Sequence, residues 1–319
     1  MARFRFSFNI FEITTRQAFV DECRQAERCG YDVVFSADHI GLPAPFSLLI
    51  AAAEATERMR VGTLVVNVPF WNPALLAREI ATADILTDGR LEVGLGAGHM
   101  KWEFDAAGIT WSPFAARAAM LERAIGELQR YFAGDIGQPS PRPLVRPVQR
   151  TGFGGSGPPL LIGGTGDSVL RIAAQYAQIV GVAGAYQVKG APPGTLRLGS
   201  AAEVDEKVNF ARRCAGDRAD EIEWHLLTQA VIVTDDRRGA TEQLLLDHRR
   251  AAEAAGGLPD RDVLTLDQAL ETPFLLIGTA DEIAAQLQRS RERWGFSFIT
   301  VHEPYMELFA PVIERLRGE

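Results

Sequence analysis

Residues 88–99 read Asp-Gly-Arg-Leu-Glu-Val-Gly-Leu-Gly-Ala-Gly-His. Asp88-Gly89 is a turn pair, Leu91 to Leu95 is a strand, and Gly96-Ala97-Gly98 leaves that strand almost free of side chains before His99. A dinucleotide fingerprint running from Gly94 through Gly96 would need its third glycine at position 99. His99 stands there, so a Rossmann reading fails. Two readings of the glycines remain: a strand exit cleared for a flat ring or a phosphate, and an ordinary tight turn.

Outward from this stretch, strand and helix alternate along the chain. Strands are expected at Arg3 to Phe8, Asp32 to Ser36, Arg60 to Val66, Leu91 to Leu95, Leu160 to Ile162, Gln178 to Val182, Glu223 to Thr234 and Phe296 to Val301. Helical spacing marks Thr14 to Cys29, Phe46 to Arg58, Pro73 to Leu86, Pro113 to Phe132, Ser168 to Tyr176, Ala201 to Cys214, Arg238 to Ala255, Asp281 to Trp294 and Pro304 to Leu316. Eight strands with helices between them predict an α/β fold: a closed parallel (β/α)8 TIM barrel, with an open doubly wound sheet as the alternative. No linker or internal repeat divides residues 1–319, so one domain is expected. Gly134 to Pro159, rich in Gly, Pro and Arg, reads as a long loop over the barrel mouth.

The chain has 319 residues, with 47% apolar and 23% charged, and a formal net charge of −8. That length and balance suit a globular protein with a full core. The acidic balance disfavours nucleic-acid binding, which needs a dense basic surface. No apolar run reaches the roughly 18 residues of a membrane span. The N-terminus lacks the features of a signal peptide. The three cysteines, Cys23, Cys29 and Cys214, give an odd count with no metal-ligand spacing. They predict reduced thiols, no metal site and a cytoplasmic setting.

In a barrel, reactive groups follow the C-terminal ends of the strands. After the successive strands come Asn9; Asp38-His39; Asn67; Gly96-Ala97-Gly98-His99; Gly163-Gly164-Thr165-Gly166; and His302-Glu303. Three of the five histidines stand at such positions. An imidazole titrates near neutrality and moves protons, and Asp38 is placed to orient His39 or raise its pKa. The competing reading is a capping Asp beside a loop His. Gly163 to Gly166 opens a helix, where free N–H groups and the helix dipole favour a phosphate; the alternative is a plain capped turn. Trp71, Trp102, Phe104, Trp111 and Phe114 are candidates for an aromatic pocket wall, or for lid packing. Lys101, Arg142, Arg146 and Arg150 are candidates for an anionic tail, against a solvated face. Lys101, Lys189 and Lys207 lie outside the strands, which disfavours a Schiff-base enzyme.

Ala26-Glu27-Arg28-Cys29-Gly30-Tyr31-Asp32, Ser36-Ala37-Asp38-His39, Val61-Gly62-Thr63, Asn72-Pro73-Ala74, Leu86-Thr87-Asp88-Gly89-Arg90, Gly94 to Gly98, Gly163 to Gly166 and Ile277-Gly278-Thr279 together resemble the luciferase-like superfamily. Within it, Asp38-His39 and Gly-Ala-Gly-His resemble the F420-dependent oxidoreductases, which include a sugar-phosphate dehydrogenase. The resemblance implies hydride transfer between coenzyme F420 and a small organic substrate, with FMN as the alternative cofactor in a reduced-FMN-dependent monooxygenase. A non-catalytic cofactor-binding barrel is a third reading. The resemblance also implies a homodimer and a non-proline cis peptide at Leu64-Val65. It places Asp38 and His39 near the ring, Asn67 at its edge, Gly96, Ala97 and Gly98 along it, and its phosphate on Gly163, Gly164, Thr165 and Gly166. The sugar-phosphate enzymes carry a catalytic Glu where this chain has His99. Either His99 or Glu103 takes over that proton transfer or the reaction needs none, and a sugar phosphate is disfavoured as substrate.

Overall fold

Arg5, Ser7 and Asn9 alternate with Phe4, Phe6, Phe8 and Ile10, and this sorts the first strand, β1 (Arg5–Ile10), between two environments. The aromatic side packs outward on helices: Phe6 meets Phe309 at 5.9 Å and Phe8 meets Tyr31 at 5.3 Å between ring centroids. The polar side turns inward. Arg5 donates to Glu92 and Glu223, and Ser7 Oγ lies 2.6 Å from Thr300 Oγ1. Period-two alternation thus divides the helix-facing layer from the interior of a closed sheet.

The computed structural model describes residues 2–254 and 263–318; the expected helix end at Ala255 lies outside them. The further strands are β2 (Val33–Ser36), β3 (Arg60–Thr63), β4 (Val66–Asn67), β5 (Leu91–Gly96), β6 (Leu160–Gly164), β7 (Ile179–Val182), β8 (Ala185–Gln187), β9 (Leu196–Leu198), β10 (Glu223–Leu227), β11 (Ala230–Val233), β12 (Leu275–Gly278) and β13 (Phe296–His302). The barrel runs β1, β2, β3 with β4, β5, β6, β7, β10 and β13, all neighbours parallel, and closes where β13 pairs with β1. The expected (β/α)8 barrel is the observed fold. Val33, Phe35, Leu161, Ile179 and Phe298 fill its interior, while a larger apolar layer lies between strands and helices.

Local chemistry sets the boundaries. Thr15 accepts from Ala18 N to start the helix Arg16–Cys29, and Gly30, at φ 93°, ends it in the left-handed conformation. Asn72 caps the helix Pro73–Leu86, with Pro73 at its first position. The Leu86 to Arg90 motif has a structural role: Arg90 donates to the carbonyls of Ala53, Thr56, Met59 and Thr87. The third expected strand is two pieces, β3 and β4, joined through a cis Leu64-Val65 peptide bond. The expected strand from Glu223 to Thr234 is also two. Thr228 N and Oγ1 both bond Thr300 O, and Gln229 N then switches to Phe274 O. The chain thereby leaves the barrel as β11, which pairs with β12 in a small side sheet.

The segment between Gly134 and Pro159 does not cover the mouth. Asp84, fully buried, accepts from Val148 N, Gln149 N and Gln149 Nε2 at 2.6–3.0 Å. Gln149 in turn accepts from Arg60 Nη2 and donates to Leu91 O. Arg60 and Leu91 begin β3 and β5, so this segment lies at the opposite end, with Arg142, Arg146 and Arg150. It links a helix to the strand that follows, and such links fall at the N-terminal ends of barrel strands. The mouth carries two other insertions: the helix Lys101–Ala107 after β5, and the antiparallel β8–β9 hairpin after β7. The hairpin reaches across. A Cβ on Gly194 would lie 3.7 Å from Met100 Sδ.

Asp84→Ala removes the buried acceptor of three hydrogen bonds. We expect a loss of about 2–3 kcal/mol of stability in urea unfolding. Affinity for any ligand at the mouth stays unchanged, because the lost bonds lie at the far end of the barrel. A change in affinity as large as the change in stability would contradict that placement.

Candidate active site

The exits of β2 and β5 meet at the mouth through one carboxylate. Glu103, 1% exposed, stands in the first turn of the helix Lys101–Ala107. Its Oε1 lies 2.8 Å from His39 Nδ1 and accepts from Ile40 N at 3.1 Å. Oε1 therefore takes the proton on Nδ1, which leaves His39 Nε2 as the atom free to hold or deliver a proton. The imidazole of His99 packs edge-on against His39, with ring centroids 5.2 Å apart.

Asp38 does not orient His39, contrary to expectation. Its Oδ2 accepts from Asn67 N at 3.0 Å and Trp71 Nε1 at 2.8 Å. Asp38 instead fixes the start of the loop after β4, and Glu103 takes the role expected of it. Sequence spacing could not show this, because the partner comes from a different strand exit.

His99 is held neutral. Its pKa is lowered to about 4, first by exclusion from bulk water, then by repulsion from His39 and Arg117. The residue keeps part of its surface in solvent while its neighbours crowd the ring. The direction, a neutral imidazole at pH 7, is what the surroundings support. His225 sits inside the barrel with Nε2 2.6 Å from Thr300 Oγ1, and burial holds its pKa down to about 3. It faces no strand exit.

The glycines divide by what they clear. A Cβ at Gly94 would meet Thr63 O at 2.1 Å, and one at Gly96 would meet Val65 Cγ2 at 2.6 Å. Both make room for the neighbouring strand. Gly98, at φ 75°, is different: its Cβ would lie 2.6 Å from Asn67 Oδ1. That oxygen is buried and meets no donor. A planar ligand offering an N–H at this spot would satisfy it, and this is the feature that fits a flavin-type ring. Ala97 is buried beside it. Leu64 and Val65 pack against the barrel interior below. Gly163 and Gly164 end β6, Thr165 follows, and Gly166 precedes the helix Asp167–Tyr176, so open backbone stands at the rim as the phosphate reading requires. The ring of Phe114 packs beside Gly166.

The aromatic cluster splits. Phe104 is fully buried between Phe70 and Trp111, at 5.1 and 4.8 Å between centroids. Trp71 packs on Phe46, whereas Trp102 and Phe114 are exposed. Lys101 pairs with Asp105 on the surface. Sequence reading missed Arg117, which is 5% exposed and stacks on Trp111 at 3.7 Å. At the eighth strand exit, Glu303 accepts from Phe11 N and bonds Glu22, whose carboxyl is pushed up to about 7 by burial and then by Glu303. Neither of two cavities is lined by His39, Asn67, His99 or Glu103. One, of about 570 Å³, is lined by Arg237, Gln286, Arg289 and Trp294 on the outer helices. The other, of about 800 Å³, lies beside Glu22 and Glu303. The converging polar groups mark the mouth, so we place the site there rather than in either cavity.

An unfolded His99 binds its proton near pH 6.5 and the folded one only near 4. Falling pH in that window therefore favours unfolding. An NMR titration is expected to show His99 still neutral at pH 6. A midpoint near 6.5 would overturn this electrostatic reading.

Residues 12–297 match the family described as luciferase-like monooxygenase. F420-dependent glucose-6-phosphate dehydrogenase of Intrasporangium calvum is 38% identical over 124 residues, 35% of this chain and 37% of that protein. The oxygenase component of flavin-dependent trigonelline monooxygenase of Acinetobacter baylyi is 33% identical over 91 residues, 27% of this chain and 25% of that protein. Each match spans well under half of the curated relative. Among solved structures, the coenzyme F420 dependent tetrahydromethanopterin reductase of Methanopyrus kandleri superposes with a TM-score of 0.71 at 19% identity, covering 98% of this chain and 97% of that one. Monooxygenase RslO1 of Streptomyces bottropensis gives 0.68 at 22%, covering 98% and 99%. At those identities the likeness is one of fold. The family match covers most of the sequence, and the chain belongs to the luciferase-like monooxygenase family.

Proposed function

We propose that the protein is an F420-dependent oxidoreductase that passes a hydride between coenzyme F420 and a small organic substrate. The observation that carries the reading is the His39–Glu103 pair at the mouth, beside Gly98 and the unpartnered Asn67 Oδ1. The F420-dependent relatives support the choice of cofactor. When bound, F420 supplies the two-electron chemistry.

This chain's residues position, exclude water and move a proton. Glu103 fixes the ring plane and tautomer of His39, so that Nε2 faces the reacting centre. His99, neutral and edge-on to His39, walls the same space without adding a charge. Asn67 Oδ1 would accept from the ring edge, and Asp38 holds Asn67 through its backbone N–H. Gly163 to Gly166 offer open backbone for the phosphate. His99 occupies the position of the acid that sugar-phosphate enzymes carry, so proton transfer falls to His39.

FMN is the second reading, supported by the flavin-dependent relative and by an Asn67 edge that suits either ring. Titration of purified protein with F420 and with FMN separates them; failure of both to bind at micromolar concentration would defeat the proposal. With the cofactor that binds, His39→Gln should lower kcat by about 100-fold or more and leave cofactor affinity within a few-fold. Glu103→Gln should retain the Ile40 bond and give a smaller loss. Unchanged kcat in both variants would take the proton transfer away from His39.

A further inference from the structure

Arg117 is a buried cation whose bonds go, among the described residues, to carbonyl oxygens and to no carboxylate. Its Nε donates to Ala97 O at 3.2 Å, Nη2 reaches Gly98 O at 3.5 Å, and Nη1 donates to Ser112 O. Trp111 stacks on the guanidinium, with Phe114 and Phe104 nearly 6 Å away. Burying a charge without an ionised partner costs free energy, which the three carbonyls and the Trp111 face offset only in part.

The two carbonyls belong to consecutive peptide units. A trans peptide is planar, with its N–H opposed to its C=O. Turning the Ala97 and Gly98 carbonyls toward Arg117 therefore points the Gly98 and His99 N–H groups the other way. Neither N–H meets an acceptor among the described residues. Successive free amides form a concavity suited to negative charge. A cation at the carbonyl ends deepens its polarity. Asn67 Oδ1, on a residue 5% exposed and itself without a donor, stands beside Gly98. The spot thus offers two donors next to one acceptor.

That pattern complements the imide edge of a pyrimidine ring, which FMN and F420 share. Its N–H would meet Asn67 and its carbonyl would meet the amides. Two-electron reduction places negative charge on that same edge. We infer that Arg117 is a positioning residue which, through the Ala97–Gly98 and Gly98–His99 peptides, makes the site prefer the reduced, anionic cofactor over the oxidised one. The inference rests on the cofactor reading above and adds to it a redox preference set by a residue that touches neither cofactor nor substrate.

The test is the ratio of dissociation constants for oxidised and reduced cofactor, measured anaerobically on the full chain. The wild type should bind the reduced form about tenfold more tightly or better, and Arg117→Met should erase that preference. Arg117→Lys keeps the charge, loses the fork and should recover part of it. A merely structural role would weaken both redox forms alike in Arg117→Met, and that result overturns the inference. So does a wild type with no redox preference, a measurement that needs no variant to fold. If neither F420 nor FMN binds the wild type, the cofactor reading falls as well; binding without preference sinks this inference alone.

Discussion

Closure of the strand ring is the constraint on which the rest depends. β1 pairs with β13, and only then do the exits of β2, β4, β5 and β6 share one rim. A parallel strand cannot turn directly into its neighbour, so each helix return brings the chain back to the far end. Every strand exit therefore falls on the same side. Residues remote in sequence, such as His39 and Glu103, meet because of that topology and not because of any local motif. Closure also explains the polar interior of β1. Arg5, Glu92, Glu223 and Arg60 lie where strands converge at the base, and their mutual ion pairs satisfy charges that a closed interior would otherwise leave unpaired.

Glu103 ties this scaffold to the chemistry. A carboxylate 1% exposed is costly unless its acceptors are filled. One oxygen is filled twice, by an imidazole and a backbone amide from the β2 exit; the other meets no partner. The arrangement fixes His39 more tightly than a surface pair would. It also makes the short helix Lys101–Ala107 part of the site, since that helix presents Glu103 in its first turn.

All eight barrel strands were legible, because each is a β-branched or alternating run bounded by turn residues. Helix starts were legible where a side chain caps them, as at Thr15 and Asn72. The breaks were not. Thr228 leaves the ladder through a switch of backbone partners, and nothing in Glu223 to Thr234 marks it. The side of the barrel occupied by residues 135–159 was misread from loop composition; the deciding fact, that a helix precedes the segment and a strand follows it, was available from element order alone. Which residues stand at the strand exits was legible, but how they pair was not. Asp38 beside His39 suggested a dyad. The structure gives Asp38 to Asn67 and Trp71, and gives His39 to Glu103.

Gly94 to Gly98 illustrates why the same residue type carries two meanings. At Gly94 and Gly96 the missing side chain accommodates Thr63 and Val65, protein against protein. At Gly98 it accommodates an unpartnered oxygen, and the peptides around it are turned by Arg117. A turn that existed only to reverse the chain would need neither a buried guanidinium nor an orphaned amide. Their joint presence argues that the backbone there is arranged for its dipoles, with the glycines permitting the approach. On the proposed reading, an ionised glutamate in place of His99 would oppose the charge of a reduced ring, whereas a neutral imidazole leaves the field of Arg117 intact.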